Sequence, residues 1–454
     1  MQMDILLIKS FIKSFLSFPV TTPLKGLLAI VVTLFMAFFM AKMLGYLHLP
    51  AVTGYLIGGV LVGPYVLGSL GFNAVGFITQ SADPAAGVIS TSGLTVFTEI
   101  ALGFIAFGIG EEFKISDLKK TGKAATVIAF TQALLATVFV DIVLISLSFI
   151  LPDGTLSLST AINLGAIATA TAPAATVLVI NQYHAKGKVT DILLPVVALD
   201  DAIGLMVFSI SNGIANAIDG GTIDLISILV SPLCEIVASL LLGLVAGLLL
   251  SFLAKHFRVT ENRKILAILT VLSCVIASDF EFHFGSFKFG FSALLVCMMC
   301  GATFCNLCDF ASDREDGRPG IVSLCSNWAF PITVLFFALS GATFDLVIFT
   351  KWQYVLIGVI YILVRAIGKY LGARFGAIAT KCDHNVVKYL GITLFPQAGV
   401  ALGMANICGG ETLNIALFAV MIYELVAPML TKNALAAAGE IAPDARSHKN
   451  KANV

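Results

Sequence analysis

Charged residues are scarce in this chain. Asp, Glu, Lys and Arg supply 12% of its 454 residues, about half the share of an ordinary globular domain, while 58% are hydrophobic. Mean hydropathy is +0.98. That composition excludes a soluble domain with a solvated shell. The 27 basic and 27 acidic residues cancel, so nothing in the overall charge points to a nucleic-acid partner. No G-x-G-x-x-G follows a strand and no soluble-enzyme motif is present, so neither a nucleotide-binding domain nor an enzyme is expected. The nine cysteines are scattered through apolar runs without a secreted disulfide pattern. The stretch CMMCGATFCNLC, Cys297 to Cys308, has zinc-like spacing, yet on one helix its outer cysteines would lie ~16 Å apart, beyond one ion. These are read as small packing residues.

Long apolar runs dominate instead. Thirteen are long enough to span a bilayer: 25–45, 50–70, 93–112, 123–151, 160–181, 191–216, 222–257, 263–282, 287–306, 327–348, 351–376, 386–407 and 412–435. The expected fold is an all-α polytopic membrane protein. Residues 1–20, with Lys9 and Lys13 four apart, suit an amphipathic segment lying at the interface, and no cleavage-type end marks a signal peptide. Thirteen spans put nineteen Lys and Arg on one side, and only Lys288 and Lys351 in the opposite loops after span 2. The positive-inside rule then places the C-terminus in the cytoplasm and the N-terminus outside.

Ionisable groups at bilayer depth are expensive and mark function by default. ALDDAIGLMV places Asp200 and Asp201 about 14 Å into span 6, and Lys369 lies about 10 Å into span 11 with Arg365 one turn earlier on the same face. The depths match closely enough to pair. Neighbouring helical positions project about 100° apart, so one aspartate can meet a cation while the other meets a water-filled cavity. A structural ion pair needs only one carboxylate; the second is what that reading leaves over. Asp141 and Glu424 lie at depth in spans 4 and 13 and suit either a pathway or a local hydrogen bond, while Glu99 and Glu235 suit packing or headgroup contact. Glu111, Glu112, His184 and His384 sit at cytoplasmic ends or loops and are read as solvated.

Two spans look broken. AIATATAPAATVLVI carries Pro173 amid Thr169, Thr171 and Thr176, and GITLFPQAGVALGMA carries Pro396 beside Gln397. Proline frees a carbonyl, tolerated at mid-membrane only where protein or water covers it. These are spans 5 and 12. Spans 3 and 10 end alike, FIAFGIGEEFKI against LFFALSGATFDL, again seven spans apart. An odd offset inverts the topology, giving inverted six-helix repeats over spans 1–6 and 8–13 with span 7 between.

Together LPAVTGYLIGGVLVGP, TAPAAT followed by LDDA, RAIGKYLGA and PQAGVALG resemble the monovalent cation/proton antiporter superfamily, in its branch with paired aspartates, from about residue 25 to 435. The resemblance implies the sodium/proton antiporter fold with crossed broken helices. It implies scaffold and dimer segments at 25–112 and 263–348, a linker at 222–257, core transport segments at 123–216 and 351–435, and a cytoplasmic tail at 436–454. Asp201 would hold cation and proton in turn, Asp200 would pair with Lys369, and Thr171 with freed carbonyls would help ligate the cation. Arg365 is the other cation available to that pair. Pro173 and Pro396 would mark the crossing, and Gln397 departs from relatives carrying arginine there.

The implied function is exchange of sodium for protons by alternating access in a bacterial inner-membrane homodimer, with membrane lipid around it and no cofactor beyond the transported ions. The residue types fit independently: hard oxygens suit Na⁺ or K⁺, and a carboxylate poised between burial and a nearby cation can trade H⁺ for a metal ion. A K⁺/H⁺ exchanger is the first alternative, a sodium-coupled organic-anion symporter of the same architecture the second. A non-transporting receptor or channel is the third.

Overall fold

The structure, a computed structural model, describes residues 22–46, 51–63, 66, 95–113, 115–152, 155–172, 176, 179–180, 183–219, 225–280, 282–284, 287–312, 319–344 and 352–441. The amphipathic segment 1–20, Pro173 and the tail beyond 441 lie outside these.

The described chain is helical apart from one short hairpin. In order run α1 (Thr22–Gly45), α2 (Ala51–Val62), α3 (Thr95–Ile109), α4 (Ile115–Ile150), α5 (Leu158–Ile167), α6 (Lys188–Asp219), α7 (Leu225–His256), α8 (Thr260–Ser278), β1 (Phe282–Phe284), β2 (Phe287–Phe289), α9 (Ala293–Leu307), α10 (Ile321–Ala342), α11 (Trp352–Ala379), α12 (His384–Thr393), α13 (Gly399–Cys408) and α14 (Gly410–Ala437). Most sit where an apolar run predicted a span. The run at 287–306 is an exception: its start is β2, antiparallel to β1 with Phe282 opposite Phe289, and α9 begins only after its Ser292 cap. The alternation in FHF and FKF carries that hairpin as a period of two. Helix α10 starts six residues before the predicted 327, and Ser323 and Ser326 in its first turns lower the local hydropathy.

Five helical stretches, Gly122–Ile150, Leu233–His256, Ile321–Ala342, Trp352–Ala379 and Gly410–Ala437, are long and apolar enough to cross a membrane, and shorter apolar helices accompany them. Along α4, Phe130, Leu134, Val138 and Ile142 recur every fourth residue and are exposed, whereas Ile128, Ala129, Ala133, Ala136 and Val140 on the other faces are buried. An apolar stripe turned outward on an apolar helix is what lipid requires. Gly122, at φ 76, sets the break between the first turns of α4 and its long remainder, a backbone state that residues with a Cβ adopt at a cost.

The chain divides into two compact units, residues 1–101 with 329–350, and residues 102–328 with 351–454. In the first, α1 and α2 pack through small residues: a Cβ at Gly58 would fall 2.7 Å from the Ala37 Cα. The second holds both spans predicted to be broken. A close seam in it joins α11 to α4 through Gly368, Gly372 and Gly376, one per turn, as in small-residue packing of membrane helices. A Cβ at Gly368 would lie 2.7 Å from the Ala136 Cα, so the backbones meet without side chains between them. Around that seam Ile128, Ala129 and Ala133 of α4, Leu193 and Val196 of α6, Ala373 and Ala377 of α11, Leu390 of α12 and Leu435 of α14 form one core.

The basic-loop end of this unit is tied by polar bonds. Glu440, three residues past α14, accepts the first-turn N–H groups of α6 at Val189 (2.6 Å) and Thr190 (2.9 Å) and the Thr190 hydroxyl at 2.7 Å. A carboxylate there satisfies orphan donors and faces the positive end of the helix dipole. Lys188 pairs with Asp383, the α12 N-cap, at 2.7 Å, and its hydrogen bond holds that carboxyl below the usual range.

Two outcomes follow from this packing. Glu440→Ala lowers thermal stability by about 1–2 kcal/mol, as loss of a helix cap does, and Glu440→Gln by less, read from unfolding of the purified protein in detergent. Gly372→Ala forces α11 away from α4 and costs about 1–3 kcal/mol in the same assay.

Candidate functional site

The two broken spans meet inside the second unit. Helix α5 ends at Ile167, and Ala168 to Ala172 leave the helical path. Helix α12 ends at Thr393, and the chain resumes as α13 at Gly399 with Pro396 in the gap. The gaps touch directly: the Ala172 N–H donates to the Pro396 carbonyl at 2.9 Å. Both α5 and α12 therefore end here, bringing two sets of unpaired carbonyls, and two partial negative dipole ends, into the protein interior.

Side chains from α11 and the gaps satisfy them. Arg365, wholly buried, donates Nε to the Ala168 carbonyl at 3.0 Å, one terminal nitrogen to Ala170 at 2.6 Å and the other to Phe395 at 2.8 Å. Its guanidinium carbon lies 4.6 Å from the Tyr423 ring centre. Gln397 donates to the Ile167 carbonyl at 2.9 Å and to the Tyr361 hydroxyl at 3.0 Å. Thr171 and Thr176 reach the carbonyls of Leu394 and Thr393, each at 3.4 Å.

The next turn of α11 supplies the carboxylate's partner. Lys369 Nζ pairs with Asp200 Oδ2 at 2.7 Å, both side chains fully buried, donates to the Thr171 hydroxyl at 2.8 Å, and donates also to the Thr169 carbonyl. Thr171 in turn donates to Asp200 Oδ2, and Gln132 of α4 donates to Asp200 Oδ1. Asp200 is thus held at both oxygens by three side chains from α4, the α5 gap and α11. A carboxylate and an ammonium so enclosed are tolerated because hydrogen bonds fill the remaining sites.

The expected residues are distributed plainly. Asp200, Thr171 and Lys369 form one hydrogen-bonded cluster; Arg365, Gln397 and Pro396 form the crossing beside it. Arg365 binds carbonyls, while Lys369 binds the carboxylate, and the Thr171 hydroxyl is engaged by Asp200 and Lys369. Asp201 occupies the next position of α6, and nothing further about its side chain lies within the described residues.

Gln132 and Tyr361 were not among the expected residues. Gln132 was visible as the lone amide in the long apolar run of span 4, and nothing marked Tyr361 beyond its place one turn before Arg365. Two amide oxygens, Gln132 Oε1 and Gln397 Oε1, are buried without a partner. They are hard acceptors available to water or a cation.

The fold has known counterparts. The structure of the sodium proton antiporter MjNhaP1 from Methanocaldococcus jannaschii at pH 8 superposes with a TM-score of 0.68 at 19% identity, covering 92% of this chain and 99% of that one. An electron-microscopy structure of the same antiporter gives 0.61 at 18% identity, covering 93% and 97%. At such identities the likeness is one of fold. No curated protein matches the sequence. Residues 29–437 match the family described as "Sodium/hydrogen exchanger, transmembrane", and with so much of its length matched the chain belongs to that family of monovalent cation/proton antiporters.

Proposed function

We propose that the transported cation is sodium, and that sodium and protons compete for Asp201 beside the helix crossing. The observation that carries this reading is the complete enclosure of Asp200 by Gln132, Thr171 and Lys369. One carboxylate of the pair is committed to the protein, which leaves the transported ions to the other. Unpartnered oxygens of Gln132 and Gln397 supply neutral ligands of the hard type that sodium or potassium takes. Each ion displaces the other from one carboxylate, and alternate exposure of that carboxylate couples the two fluxes.

The chain is read as a bacterial inner-membrane homodimer, its lysine-rich end cytoplasmic, with the helices of the core segments moving against the scaffold. Potassium in place of sodium is the alternative, since both ions take the same ligands. Release of the Lys369 proton when Asp200 turns to the cation would move a second proton, and transport would then carry charge.

Purified protein in liposomes, followed with a trapped pH dye, tests this. Adding Na⁺ should drive proton flux that Asp201→Asn abolishes while its melting temperature stays near that of the native chain; flux with K⁺ alone reassigns the cation, and flux retained in Asp201→Asn overturns the assignment. Lys369→Ala leaves Asp200 buried and unpaired and lowers stability by about 3–5 kcal/mol, measured by thermal unfolding. A valinomycin-imposed potential should change the rate of Na⁺-driven flux, and a rate indifferent to it removes the second-proton step.

A further inference from the structure

A polar cavity lies far from Asp200. It has a volume of about 300 Å³ and sits where the start of α5, the end of α6 and the α13–α14 junction meet. Helix α6 joins the two places: Asp200 and Asp219 are 19 positions apart, ~28 Å of helix, with the basic loops at its other end.

The lining is mostly polar and rich in side-chain oxygens. Ser159, Asn163, Asn212, Asp219, Glu411 and Thr412 line it, and no Lys, Arg or His is among its lining residues. An anion would meet two carboxylates and no cationic side chain there, and Ile407 is the one large apolar side chain in the lining. The two carboxylates are held in place by hydroxyl donors. Ser159 donates to Asp219 at 2.5 Å, and the Tyr354 hydroxyl donates to Glu411 at 2.5 Å.

Asn163 is the most telling member. Only 6% of it is exposed, it lines the cavity, and its Oδ1 has no hydrogen-bond partner. A buried acceptor left open costs stability unless something in the cavity uses it. It stands six positions, ~9 Å of helix path, before Thr169, whose carbonyl Lys369 binds at the crossing. Among the lining residues Asp219 is exposed at the end of α6, and Asn163 is buried on α5.

We infer that this cavity is a loading site for a hydrated monovalent cation on the face opposite the basic loops. At ~30 Å³ per water the space holds about ten, so a cation enters with most of its shell and is stripped only further in. Asp219 and Glu411 raise its local concentration at the mouth, and Asn163 Oδ1 takes the first direct contact at the floor. The inference rests on the antiport reading for its role in transport, though not for cation binding itself.

The test separates the two. In liposomes with sidedness fixed by a C-terminal label, at constant ionic strength, the cation KM is measured from each face. Asn163→Leu, which changes no charge, and Asp219→Asn, at an exposed helix end, should each raise KM roughly tenfold on the cavity face and leave kcat and the other face's KM within about twofold. Unchanged KM on the cavity face, or equal change on both, overturns the site. Should the native chain show no cation-driven proton flux, the antiport reading fails alone, and ²³Na line broadening then decides the cavity. Broadening by Asp201→Asn protein that Asp219→Asn removes supports the cation site, and broadening indifferent to Asp219 refutes it.

Discussion

Two helix ends that face each other inside an apolar bundle set the terms for the rest of this structure. Breaking α5 and α12 exposes carbonyls where water is excluded, and each dipole brings roughly half a negative charge to its C-terminal end. The guanidinium of Arg365 bonds carbonyls from both gaps at once, its planar fork spreading three donors across them. By this count the two half-charges together balance one cation, Arg365. Lys369 and Asp200 balance each other. In the proposed reading, Asp201 takes its counter-charge from the transported ions. The pair of acids and the pair of bases are one electrostatic arrangement.

That arrangement also explains the packing around it. Lys369 reaches Asp200 only because α11 lies backbone to backbone on α4 along its glycine seam, and Gln132, which holds the other Asp200 oxygen, projects from α4 in that same seam. The aspartate helix is fixed from three sides and capped at its basic end by Glu440. Movement of the site relative to its surroundings is therefore movement of several helices together.

Much of this was legible in the sequence, because membrane spans are written in long-range hydropathy and intramembrane charges stand out against it. The positions of most helices, the break at Pro396, the nearness of Asp200 to Lys369 and the family could all be read there. What could not be read depends on contacts between segments far apart in the chain. Arg365 and Lys369 share a helix face, and only the placement of the gap carbonyls separates a carbonyl binder from a carboxylate partner. Gln132 was a single amide in a greasy run, and Glu440 fell in a stretch taken as tail. The β1–β2 hairpin was missed because its aromatic residues raise hydropathy as a helix would, although their alternation was visible.

Glu440 lies 251 residues after Val189, whose N–H it accepts. At roughly 5–20 residues per second of synthesis, the first turn of the aspartate helix waits on the order of tens of seconds for its cap. A residue just past α14 thus closes a helix begun some 250 residues earlier. Until residue 440 is made, α6 lacks the carboxylate that accepts two of its first-turn donors, so the order of synthesis separates the making of the aspartate helix from its capping.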